Sequence, residues 1–139
     1  MTIAALCLAA ALQAAGSPPA PPMRTIERGA DSAVDSARQV IARTSEEWAE
    51  LWHQHAWDRP MPAVDFAHEM VAGVFMGTRP TAGFSIEIVG TRQEQGTLVV
   101  EYRETRPGRD TITAQVITAP YHLVAIPQFA GAVAFRKVE

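Results

Sequence analysis

Cysteine and lysine each occur once, as Cys7 and Lys137, and no Asp, Glu, Lys or Arg precedes Arg24. A single cysteine excludes an intrachain disulfide and a thiolate-rich metal site. Cys7 also falls inside the apolar block Ile3 to Leu12, and Ala4-Ala5-Leu6 lacks the small residue that a lipoprotein signal places just before its cysteine. That block is shorter than the ~20 residues needed to cross a bilayer, and Ala14 and Gly16 place small residues where a leader is cleaved. Residues 1–16 therefore read as a signal peptide, although the positive charge that normally opens one is missing. Residues 17–23, with Pro18, Pro19, Pro21 and Pro22, read as an extended linker. The expected mature product is one exported domain over residues 24–139, periplasmic or extracellular. It would be free of cysteine and without stable membrane insertion once the leader is gone.

A basic excess is also missing. Twelve basic residues against fifteen acidic ones give a net charge of −3, and the two signs are interspersed, so nucleic acid is not an expected partner. Enzyme signatures are lacking as well. There is no G-x-S-x-G elbow and no cysteine nucleophile in the mature chain, and the loop Gly77 to Gly83 leads into a strand, whereas phosphate-binding loops open helices. His53 and His55 form the one close histidine pair, but i and i+2 on a helix lie about 200° apart and cannot share an ion. His55 is expected to act as a cation at the helix end, and Asp65, His68 and Glu69 do not complete a metal site. Glu87 and Glu101 are expected opposite one another on a solvated hairpin face. No metal, cofactor or catalytic residue is expected, and the protein is not expected to be an enzyme.

Against these absences, 47% hydrophobic residues in a chain of this length supply a real core. Thr44-Ser45-Glu46-Glu47 is a capping box that opens a helix, and Trp48, Leu51, Trp52 and His55 then recur on one face until Trp57-Asp58-Arg59-Pro60 stops it. Val64-Asp65-Phe66 forms a corner that docks Phe66. Met70 to Met76 is apolar without alternation, as in a central strand covered on both faces, and Gly73 marks a bulge or close packing. Short strands are expected around Thr25 to Arg28 and Gln39 to Ile41. Phe84 to Val89 and Leu98 to Thr105 flank the turn Glu94-Gln95-Gly96 as a hairpin. Further strands are expected at Ile112 to Thr118, Tyr121 to Ile126 and Val133 to Phe135. The sum is α+β: one capped helix packed on a small antiparallel β-sandwich or open barrel of about six to eight strands. Its core is expected to include Trp48, Leu51, Trp52, Phe66, Ile86, Ile88 and Phe135, with the helix or the N-terminal strands covering a sheet edge.

Gly77-Thr78-Arg79-Pro80-Thr81-Ala82-Gly83-Phe84 is the densest conjunction of signals. Proline fixes its own φ and glycine accepts positive φ, which gives a stiff loop launched into a strand and suited to meeting a partner.

Glu47-Trp48-x-x-Leu51-Trp52, Pro62-x-Val64-Asp65-Phe66, Pro80-Thr81-x-Gly83-Phe84-Ser85-Ile86-Glu87-Ile88, Arg106-Pro107-Gly108 and Ala119-Pro120-Tyr121-His122-Leu123-Val124-x-Ile126-Pro127 stand here in one order. In that order and spacing the chain resembles the PrcB family over about residues 40–139. That family is named from a subunit of a protease complex and shows Gly-Gly-Tyr where this chain has Ala82-Gly83-Phe84. The resemblance implies an accessory role beside a protease and supplies no catalytic residue. The stretch Arg79-Pro80-Thr81-Ala82-Gly83-Phe84 is also similar to the Asn-Pro-Thr-Thr-Gly-Tyr loop of chagasin-type inhibitors of cysteine proteases, which implies loop presentation to an active-site cleft. Together these imply a protein partner, a protease or its complex, bound through Gly77, Arg79, Pro80, Thr81, Ala82, Gly83 and Phe84 with Arg106 and Pro107, and with Tyr121 and His122 nearby.

Overall fold

The computed structural model describes residues 23–139, so the leader, Cys7 and residues 17–22 of the linker lie outside the described residues. The helix α1 (Ser45–Ala56) starts where its cap requires. Thr44 is extended and its hydroxyl accepts the Glu47 N–H at 3.2 Å, while the Glu47 carboxylate accepts from that same hydroxyl at 3.2 Å. Trp48, Leu51, Trp52, His55 and Ala56 form its buried face. Each buried indole N–H finds a carbonyl, Trp48 that of Pro62 at 3.0 Å and Trp52 that of Arg59 at 2.8 Å.

This face packs on a four-stranded sheet ordered β1 (Arg24–Gly29), β6 (Tyr121–Pro127), β3 (Glu69–Phe75), β2 (Arg38–Ala42). Behind it lies a three-stranded sheet ordered β4 (Ser85–Glu94), β5 (Thr97–Thr105), β7 (Val133–Val138). The result is three layers and two apolar seams. Trp48, Leu51, Trp52, Val71, Phe75, Tyr121 and Leu123 fill the helix–sheet seam, with Phe66 packed against them. Met70, Ala72, Val74, Ile86, Ile88, Val124 and Ile126 fill the sheet–sheet seam, with Phe84 and Phe135 partly buried beside them. The uninterrupted apolar run of β3 follows from this position, because alternate residues enter different seams and neither face meets water. Gly73 is a close-packing glycine and not a bulge. It pairs in regular register on both sides, and a Cβ there would lie 2.8 Å from Leu123 Cδ2.

Three expectations are corrected. First, β7 runs parallel to β5. Short turns favour antiparallel neighbours, but β6 crosses to the other sheet, so the chain re-enters beside β5 in the same direction. The two sheets do not close into a barrel. Second, Ile112 to Thr118 forms no strand; Thr118 and Ala119 make only isolated bridges, to Arg79 and Asp31. Third, Glu87 and Glu101 are not opposed. Glu87 faces Arg103 and Glu101 faces Gly90, because the two-residue turn that pairs Glu94 with Thr97 sets a register in which the two glutamates never meet, on either side of a bulge between Ile88 and Gly90.

A second bulge lies in β1 between Thr25 and Glu27. The extra residue, Ile26, reverses the side-chain phase. Thr25 and Arg28 then reach β6 and β4, while Glu27 turns toward the helix. Arg28 donates to the Ile86 carbonyl and the Glu87 carboxylate, and His122 Nδ1 accepts the Ile88 N–H at 2.9 Å, so side chains from the first sheet cover the edge of β4.

Candidate functional site

The loop after β3 is held from its first residue. Gly77 has φ +80°, and a Cβ there would come within 2.9 Å of the Ala37 nitrogen, while the Thr78 N–H donates to the Asp35 carbonyl at 3.0 Å. Arg79 and Thr118 exchange both of their backbone hydrogen bonds, at 2.7 and 2.9 Å. The Ala82 N–H donates to the Ala114 carbonyl at 3.1 Å, and the Thr118 hydroxyl to the Thr81 carbonyl at 2.9 Å. Gly83, at φ +94°, sits so close to Pro107 and Thr113 that an added Cβ would meet them at 2.9 and 3.1 Å. Phe84 is half-buried, with the Arg79 guanidinium 5.7 Å from its ring centre. Residues 77–84 and 106–118 thus form one platform.

The structure therefore brings together Gly77, Arg79, Pro80, Thr81, Ala82, Gly83, Phe84 and Pro107, with exposed Arg106 at the margin, 3.8 Å from Glu104. Tyr121 and His122 are not part of it; both are buried in β6. They are expected near the loop, but β6 lies between β1 and β3 with Tyr121 in the helix–sheet seam and His122 turned to Ile88 of the second sheet, so neither side chain faces a partner.

Sequence reasoning missed the most exposed apolar residues of the platform. Ile112 is 98%, Ile117 79% and Val116 52% exposed. The signal was present as a run of β-branched residues, but reading that run as a strand assigns such side chains to the core.

A separate polar cluster ties helix to sheet. His55 is buried at the helix end, its Nε2 3.1 Å from Glu27 Oε1 and its Nδ1 2.8 Å from Ser32 Oγ. Arg59 makes two bonds to the same carboxylate, at 2.6 and 2.9 Å, and the Tyr121 hydroxyl donates to it. Burial acts to raise the Glu27 carboxyl, but hydrogen bonds from Arg59, Tyr121 and His55 outweigh it and hold it below the usual value. Burial depresses the His55 imidazole below its ordinary value despite Glu27, and raises the Tyr121 phenol. His55 is thus a neutral core residue and not the helix-end cation expected. With Glu27 ionised, the neutral ring carries its proton on Nε2 and accepts the Ser32 hydroxyl proton at Nδ1.

Hydroxyl, imidazole and carboxylate in that order are the parts of an acyl-transfer relay. Here the accompanying N–H groups are already engaged: Ser32 donates to the Ala119 carbonyl at 3.2 Å, Ala33 to the His55 carbonyl at 2.9 Å and Val34 to Ser32 Oγ at 3.0 Å. An adjoining cleft of about 300 Å³ is lined by Asp31, Ala33, His55, Trp57, Asp58 and Arg59, with the Ser32 hydroxyl outside it. The arrangement acts as a clasp between β1, α1 and β6. Among the described residues, no group of three His, Asp or Glu side chains is placed to hold a metal ion, and no helix is long and apolar enough to cross a membrane.

Residues 70–127 match the family model described as PrcB C-terminal. Over that segment the chain is similar to the PrcB C-terminal family. It runs from β3 to the end of β6 and contains both platform loops, whereas α1, β1, β2 and β7 fall outside it. The PrcB match is therefore narrower than the resemblance over residues 40–139. No curated protein and no solved structure matches the chain. None of these comparisons shows a likeness to chagasin-type inhibitors.

Proposed function

We propose that this chain is an exported, non-enzymatic accessory domain that binds a protein partner, a protease or a protease complex, through the platform of residues 77–84 and 106–118. One observation carries the reading. Ile112, Val116 and Ile117 project into solvent from a segment whose ends are pinned by backbone hydrogen bonds. Exposed apolar side chains on a braced loop are the composition of an interface core, and a loop already ordered loses little entropy on binding. The PrcB C-terminal match over the same residues supports a protease-associated partner.

Mild cross-linking in cells that produce the full chain, followed by identification of the adduct, tests this. A discrete adduct containing a protease or protease-complex subunit is expected, and adducts that form equally from a chain with Pro80→Gly and Gly83→Val would reject the platform. The fixed turn from Arg79 to Phe84 favours a second reading, direct inhibition of a papain-like protease. Purified protein that leaves papain active at micromolar concentration would remove that reading.

A further inference from the structure

Five of the arginines, Arg24, Arg28, Arg59, Arg92 and Arg136, have a carboxylate oxygen within 3.0 Å. The platform arginines do not. Among the described residues Arg79 and Arg109 form no ion pair, and Arg106 reaches only Glu104, at 3.8 Å. The Arg79 guanidinium lies against Phe84, donates Nη2 to the Met76 carbonyl at 3.1 Å and leaves Nε buried without a partner. A cation held in place without a counter-charge is prepared for an incoming carboxylate.

The backbone beside it is prepared for a strand. Thr111 to Ile117 is rich in β-branched residues, yet the N–H groups of Ile112, Thr113, Ala114, Gln115 and Ile117 find no backbone partner among the described residues. The Ala114 carbonyl is engaged by the Ala82 and Val116 N–H groups, so it is the free N–H groups that recognise another extended chain, and flanking apolar side chains set its register.

Charge selects the occupant. A second copy meeting this surface about a two-fold axis would bring two sets of Arg79, Arg106 and Arg109 into one interface with only the two copies of Asp110 from the platform to offset them. Residues 1–22 of the same chain contain no Asp or Glu and offer no carboxylate. We infer that the platform takes an acidic, extended segment of the partner protein, which pairs along Thr111 to Ile117 with a carboxylate at Arg79. This rests on the protein-binding reading above and names the chemistry of that partner.

The test titrates the isotope-labelled chain with a capped hexapeptide of alternating aspartate and valine, and separately with its lysine–valine counterpart, while following amide shifts by NMR. The acidic peptide is expected to shift the amides of residues 112–117, with affinity that falls as salt is raised. Arg79→Gln should weaken it at least tenfold while the Ile86 and Ile88 amides stay in place, and Arg106→Gln with Arg109→Gln, remote from the core, should weaken it severalfold. Equal binding of both peptides, binding of neither, shifts centred elsewhere, or indifference to both sets of variants would overturn the inference. The protein-binding reading fails separately. If Ile112→Asp with Ile117→Asp removes the cellular adduct while both peptides are silent, the surface binds protein but not an acidic strand.

Discussion

Arg79 and Thr118 exchange two backbone hydrogen bonds, at 2.7 and 2.9 Å, and so join the loop after β3 to the segment before β6. An isolated antiparallel bridge is a small feature, but it fixes which residues face solvent. Val116 and Ile117, next to the pinned Thr118, stand exposed to solvent.

Gly83 keeps the two loops in contact. Its φ of +94° is costly for a β-branched residue, and a Cβ would press on Pro107 at 2.9 Å. Gly83→Val is expected to cost about 1–3 kcal/mol in urea unfolding. It should also move the amide resonances of residues 106–118 while leaving those of α1 in place. Unchanged resonances at Pro107's neighbours would show that the contact does not exist in solution.

His122 gives the fold a defined acid sensitivity. Its ring sits between the sheets, with Nδ1 accepting the Ile88 N–H and Nε2 beside Thr25 Oγ1 at 2.9 Å. Burial, with help from Arg28 and against Glu87, depresses its pKa to about 4 from the ordinary 6.5. The unfolded chain therefore takes up the proton first as pH falls, and stability is lost between pH 6.5 and about 4, on the order of 3 kcal/mol in total. His55, also depressed by burial, adds in the same direction. Chemical unfolding at a series of pH values should show this slope, and His122→Gln, which keeps an acceptor for Ile88, should flatten it. A slope unchanged in the variant would place the proton elsewhere.

Glu27 is the acceptor shared by His55, Arg59 and Tyr121. Glu27→Ala leaves two buried donors, His55 and Tyr121, without their acceptor while half-exposed Arg59 turns to water, and is expected to cost about 3 kcal/mol, the scale of two unsatisfied buried groups. Glu69, paired with Arg24 at the surface, supplies the contrast: Glu69→Ala should cost under about 1 kcal/mol. Urea midpoints of the two variants, measured side by side, distinguish a central clasp from an ordinary surface pair.

The helix, its buried face and the central position of β3 were legible because each rests on local chemistry: a cap, a 3.6-residue spacing, an apolar run. The hairpin turn was legible too, since Gln95 and Gly96 both take positive φ. What escaped depends on partners distant in sequence. The bulge at Ile26 turns Glu27 toward His55, and strict alternation would have sent it the other way. The parallel return of β7 follows from β6 changing sheets, which no stretch of residues announces. Within the candidate site, the glycines and prolines marked the loop, but Ile112 and Ile117 were read into a strand. Strand propensity describes a residue's fit to a ladder and cannot say whether a ladder is there to receive it.

The most direct test compares the wild-type chain with Ile112→Asp and Ile117→Asp together. Both side chains are in water, so the variant should unfold within about 0.5 kcal/mol of wild type. The measurement is the yield of the cellular cross-linked adduct from each chain at equal expression. Loss of the adduct from a folded variant is the expected result. An undiminished adduct would contradict the assignment of partner binding to this platform.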